Sequence, residues 1–123
     1  MAERSVLTSE KLSRFASLKF GFSTRNGGIS PGPLGMNLSF NVGDDKANVD
    51  HNRRLFFGAL GISSEQVAVP LQCHSATVQK ANQPGSYKEC DGLLTGVPQV
   101  ALAISVADCV PIFIFDPNKN VVA

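Results

Sequence analysis

VALAISVADCVPIFIFDP, residues 100–117, is the stretch on which the reading of the fold turns. Its first seven residues are apolar except for Ser105, and that run has the length of a strand rather than a helix. A strand with no polar alternation belongs in a sheet covered on both faces, so 100–106 is expected inside the fold. PIFIF (111–115) reads as a second strand, DPNKN (116–120) as a turn, and VVA (121–123) as the start of that strand's partner. Between the two apolar runs stands Cys109, preceded by Asp108 and followed shortly by Pro111. A carboxylate is costly to bury without a partner, and Pro111 bends the chain, which puts Cys109 near a strand end where sites are commonly mounted. Against this, a lone cysteine is most often a small buried hydrophobe. The residues alone leave the two readings level.

Outward from this stretch, DGLLTG (91–96) leads into the apolar run and NQPGSYKEC (82–90) is loop. QVAVPLQCHSATVQKA (66–81) looks extended, with Pro70 marking an edge or a bend. The spacing of Val49, Asn52, Leu55–Phe56 and Ala59–Leu60 predicts a helix over 46–60, capped by Asp44 or Asp45 and closed by Gly61. MNLSFNVG (36–43) alternates as a half-buried strand does, and LKFGFST (18–24) has strand character. RNGGISPGPLG (25–35), with four glycines and two prolines, is a long loop. A polar lead-in with a short helix occupies about 1–17. The class is α+β: a mixed β-sheet with one clear helix, in one domain over 1–123.

With 43% apolar residues and no run near the roughly 18 apolar residues of a membrane span, neither disorder nor membrane insertion is expected. A net charge of +1 gives no footprint for nucleic acid. The start lacks the apolar core of a signal peptide, and three cysteines without CxxC spacing fit reduced thiols, so a cytoplasmic location is the default. Charged residues make up 17%, below the usual ~25%, a hint that part of the surface is covered by something outside these residues.

Of the two histidines, His51 reads as a helix-surface side chain, whereas His74 follows an apolar extended segment and is a candidate ligand or catalyst. Cys73 and His74, as strand neighbours, would face opposite ways, and so would Asp108 and Cys109. One histidine and one cysteine make two ligands, short of the three a zinc site normally takes from protein. Arg25 beside Asn26-Gly27-Gly28 offers a guanidinium and free N–H groups to an anion such as phosphate, though an ordinary turn is the simpler reading. Arg53 and Arg54 are expected to solvate the helix.

FSTRNGGIS, MNLSFNVGDD, VDHNRRLFFGALGI, LQCHSATV, DGLLTG and ALAISVADCVPIFIFDP occur in that order. Together they resemble the YfiH family, also called laccase-domain or polyphenol-oxidase-type proteins, from about Gly21 onward. The resemblance implies a YfiH-like fold and a zinc site of His, Cys and His. Gln72-Cys73-His74 matches the family's Gln-Val-His motif, with Cys73 in the middle place, and Ala107–Pro111 matches its Ala-Asp-Cys-x-Pro motif. His74 and Cys109 are thereby implied as metal ligands, and the third histidine would come from a motif expected beyond Ala123. The chain is accordingly expected to be the N-terminal half of a longer domain, inactive by itself, with the C-terminal half as its missing partner.

The activity so implied is purine nucleoside chemistry: phosphorolysis of adenosine, inosine or methylthioadenosine, and deamination of adenosine. Zinc with an open position suits water activation at neutral pH. His74, Cys109 and Asp108 form the expected catalytic group, with Asp108 orienting a ligand. Arg25, Asn37 and Gln72 are expected to bind purine nucleoside and phosphate. The alternatives are a copper-dependent polyphenol oxidase, for which two histidines are few; a metal-free thiol hydrolase with Cys109 as nucleophile and His74 as base; and a non-catalytic interaction module. An open sheet edge at the end of the chain would invite self-association.

Overall fold

The computed structural model describes residues 5–123, so the first four residues of the expected polar lead-in lie outside the described residues. The chain divides into two compact units, one ending at Ser64 and the other running from Glu65 to Ala123. The architecture is mixed α and β: one substantial helix and four small sheets among the described residues.

In the first unit, β1 (Val6–Leu7) pairs antiparallel with β2 (Phe22–Ser23), and the short α1 (Glu10–Ser13) lies between them, capped by the Ser9 hydroxyl. The expected strand at 18–24 thus shrinks to two residues. The long helix, α2 (Lys46–Ala59), forms as the spacing predicts. The Asp45 carboxylate accepts from the Ala47 N–H at 3.0 Å and satisfies one of the free amides of the first turn. At the other end Gly61, at φ +68°, lets its N–H reach Gly58 O while Ile62 N–H reaches Phe57 O, so the last carbonyls are satisfied. The buried face is Val49, Asn52, Phe56 and Phe57; Leu55, expected inside, is exposed. Arg53 is not a solvated residue: its Nε donates to Leu38 O at 2.8 Å and its guanidinium lies 4.5 Å over the Phe40 ring.

No strand forms over 36–43. The side chains there take the backbone's bonds for themselves. Asn37 Oδ1 accepts from Ser39 N–H, Asn37 Nδ2 donates to Ser39 O, and Ser39 Oγ accepts from Asn41 N–H. Short polar side chains compete with ladders in this way, which overrides the apolar alternation.

The second unit holds β3 (Val67–Pro70), β4 (Val78–Lys80), β5 (Gly85–Tyr87), β6 (Gly92–Leu94), β7 (Ala101–Leu102), β8 (Phe115–Asp116) and β9 (Val121–Val122). β3 is central, with β5 and β7 parallel on either side; β4 pairs parallel with β6; β8 and β9 form an antiparallel hairpin. Ala68, Ala81, Cys90 and Leu93 make its buried cluster, with Tyr87, Val100 and Leu102 packed against it. The expectation of a long strand at 100–106 covered on both faces is corrected: only Ala101 and Leu102 pair, on an edge, and none of 100–106 is fully buried. Proline supplies the reason. Ala68 O accepts from Ala103 N–H, and the next donor toward β7 in the alternation is residue 70, where Pro70 has no N–H. The segment 66–81 is likewise broken, with Leu71 to Thr77 outside any strand. Of 111–115 only Phe115 belongs to a strand, and Val110, Ile112 and Ile114 are exposed. The turn at 117–120 and the pairing of 121–122 form as expected. No helix among the described residues is long and apolar enough to cross a membrane.

Candidate functional site

β3 ends at Pro70, and the chain from Leu71 to Val78 then runs through eight consecutive exposed residues. Gln72, Cys73 and His74 lie in this segment. His74 takes a left-handed backbone, φ +61°, a conformation uncommon for residues other than glycine. Cys73 and His74 are therefore not strand neighbours facing opposite ways, and the alternation expected for them does not apply.

One carboxylate holds the turn. Asp91 Oδ1 accepts from Cys73 N–H at 3.0 Å and from Ser75 N–H at 2.8 Å, while Oδ2 accepts from His74 N–H at 3.1 Å. The Ser75 hydroxyl adds a fourth bond, at 3.1 Å to Oδ1. Three successive N–H groups converging on one anion make a nest. The backbone N–H groups of Ser75 and Cys73, opposed by desolvation and helped by the Ser75 hydroxyl and the His74 N–H, hold the Asp91 pKa down to about 2 from its ordinary 3.8. Asp91 sits at the start of β6, where its own N–H and that of Gly92 donate to Thr77 O, beside the buried Cys90. Burial first, then the nearby Cys73 and Asp91, pushes the Cys90 thiol up, so it stays a neutral hydrophobe. Sequence reasoning missed Asp91. Its one signal is an aspartate directly before the glycine that opens a strand, placed where a short acceptor can reach a neighbouring loop.

Asp108 and Cys109 lie in a bend outside any strand, and both are exposed. The argument from the cost of burying Asp108 therefore lapses. No hydrogen bond joins His74 to Cys109 among the described residues, so the metal-free hydrolase reading, which needs that contact, gains nothing from the geometry.

Arg25 and Asn37 belong to the first unit. Arg25 is exposed, and its carbonyl accepts from Met36 N–H at 2.8 Å, closing the glycine-rich loop. Gly35 sits at φ +49°, and an added Cβ would lie 2.1 Å from Arg25 O; at Gly28 it would meet Gly35 O at 2.3 Å. Both positions require glycine. The loop is pinned by the fully buried Asn52, whose Oδ1 accepts from Ile29 N–H and whose Nδ2 lies within hydrogen-bond distance of Ser30 Oγ, Gly35 O and Asn37 O. The Asn37 side chain is itself engaged, donating to Asp44 Oδ2 at 2.9 Å as well as to Ser39. With Ser30 also donating, the Asp44 pKa is lowered, chiefly by Asn37 and then Ser30.

His74 and Cys109 are donors of the kinds zinc accepts, an imidazole and a thiol, and both are exposed. They fit a metal in kind and supply part of a donor set: among the described residues no three His, Cys, Asp or Glu side chains come together as a metal site.

A family model described as multi-copper polyphenol oxidoreductase laccase matches residues 19–123. A purine nucleoside phosphorylase of Deinococcus radiodurans is 41% identical over 102 residues, which are 82% of this chain and 40% of that protein. The purine nucleoside phosphorylase YlmD of Bacillus subtilis is 34% identical over 113 residues, 83% of this chain and 41% of that protein. The crystal structure of YlmD from Geobacillus stearothermophilus superposes with a TM-score of 0.88 at 31% identity, covering 99% of this chain and 49% of that one. The chain thus spans less than half the length of these relatives.

Proposed function

Because the chain belongs to the laccase-domain, or YfiH, family, we propose that it forms part of a zinc-dependent purine nucleoside phosphorylase. The observation that carries this reading is the name shared by relatives 34–41% identical over most of the chain, combined with an exposed His74 held in a fixed turn. In phosphorolysis a phosphate oxygen bonds to the anomeric carbon of the ribose as the bond from that carbon to the purine breaks. The electron pair leaves with the base, which takes up a proton. Arg25, exposed at the edge of the glycine-rich loop, supplies a guanidinium for the phosphate. The exposed Gln72 offers an amide to the nucleoside. Asn37 offers one only by exchanging a bond it now makes to Asp44 or Ser39. His74 and Cys109 would hold the zinc, Asp108 would orient a ligand, and a third donor would come from outside residues 1–123. When bound, the zinc would supply a Lewis acid in a site with an open position.

The same donors suit hydrolytic deamination of adenosine, so the test separates the two reactions. The full chain is supplied with adenosine, with and without inorganic phosphate. Adenine and ribose 1-phosphate formed only with phosphate support phosphorolysis; inosine formed in either case supports deamination. Removal of zinc by a chelator should abolish turnover, and added zinc should restore it. The copper-oxidase description of the family favours a second reading, since copper outcompetes zinc at many nitrogen and sulfur sites. Oxidation of a phenol by dioxygen, with no phosphate-dependent release of base, would replace the phosphorylase reading with that one.

A further inference from the structure

We propose that Asp91 is the positioning residue for His74: by binding the three N–H groups of residues 73–75 it fixes the left-handed turn that presents the imidazole. The inference rests on the reading of His74 as a functional donor. Four observations carry it. The segment 71–78 is exposed throughout, so packing does not hold it. Its ends are anchored by Leu71 N–H on Tyr87 O and by Thr77 O accepting from Asp91 and Gly92 N–H, and its middle, 73–75, is tethered by the bonds that Cys73, His74 and Ser75 make to the Asp91 carboxylate. Asp91 stands on firm ground, between the buried Cys90 and a β6 strand that pairs with β4 from Val78↔Gly92 to Lys80↔Leu94. Finally, His74 occupies φ +61°, a left-handed backbone that is uncommon for residues other than glycine. A disfavoured backbone persists where its surroundings over-determine it, and such residues gather at functional sites. The carboxylate and the imidazole-bearing residue fit together as a clamp and the group it presents.

The test uses the full chain with Asp91→Asn, Asp91→Ala, Asp91→Glu and, as reference, His74→Ala. Asp91→Asn is expected to keep the far-ultraviolet circular dichroism of the parent while the amides of 73–75 exchange faster with deuterium. Zinc affinity, measured with the metal alone by chelator competition, should fall about 10–100-fold, the usual effect of losing a group that orients a ligand. The kcat for phosphorolysis should fall by about tenfold or more with KM little changed, since a small misplacement acts on the reacting geometry. Asp91→Glu, which restores the carboxylate, should recover part of the loss. Parental zinc affinity and kcat in both Asp91→Asn and Asp91→Ala, beside an inactive His74→Ala, would overturn the proposal and leave the role of His74 standing. A His74→Ala protein that keeps both would remove the reading and the proposal together. If Asp91→Ala does not fold, Asp91→Asn and Asp91→Glu decide the matter.

Discussion

Asp91 and Cys90 are adjacent, yet their environments drive their titrations in opposite directions. The Asp91 carboxylate, held by N–H donors, has its pKa lowered to about 2 from 3.8. A carboxylate whose folded pKa lies below its unfolded one favours the folded loop fully above the unfolded value, and that contribution is lost as pH falls through the folded one. The turn at 73–75 is therefore expected to loosen between about pH 4 and pH 2, read as falling protection of those three amides after correction for the intrinsic exchange rate at each pH. Asp91→Asn should remove the pH step. A loop equally protected at pH 5 and pH 2 would contradict the assignment. Cys90, buried and pushed up in pKa, should resist alkylation in the native chain while the exposed Cys73 and Cys109 react. Mass spectrometry after iodoacetamide treatment checks this, with two labels expected before unfolding and three after. His74 and Cys109 were legible as candidates because their motifs survive in the sequence. Asp91 was not, because a loop-to-carboxylate bond spanning 16–18 residues leaves no periodic trace.

At the scale of elements, α2 and the loop it pins are one device. Asn52 stands on the helix face that sequence spacing assigns to the interior, but its partners, Ile29, Ser30, Gly35 and Asn37, lie 15–23 residues away. Asn52→Leu removes those bonds and leaves Ile29 N–H and two carbonyls without them, so a loss of more than about 2 kcal/mol is expected in chemical denaturation. Gly35→Ala places a Cβ against Arg25 O at a left-handed φ and should be comparably harmful, whereas Gly32→Ala, with open space around it, should cost only its strained φ. Equal losses at Gly32 and Gly35 would show that backbone strain, not the close approach, sets the requirement. The helix and both its caps were readable because periodicity and capping act within a few residues. The apolar patterns at 36–43 and 100–106 point to longer strands than form, because such a pattern says nothing of who supplies the hydrogen bonds. Asn37 and Ser39 satisfy the first stretch locally, and Pro70 withholds a donor from the second.

For the molecule as a whole, the second unit exposes Val110, Ile112 and Ile114 at 85%, 74% and 60% of their surface. Scattered exposed apolar residues need no explanation, but three alternate residues in five form a patch. The residues 1–123 alone are expected to self-associate in sedimentation, and the pair Val110→Lys with Ile112→Lys should weaken association by about tenfold or more. A monomer at all concentrations would mean the patch is neutral. That patch accords with a charge fraction of 17% and with relatives of which the chain spans 40–49%. The most direct test follows ribose 1-phosphate formed from inosine and inorganic phosphate by the full chain, with parent, His74→Ala and Cys109→Ala side by side. The account predicts turnover in the parent and a loss of about a hundredfold or more in each variant. Undiminished turnover in both variants, or none in the zinc-loaded parent, would contradict it.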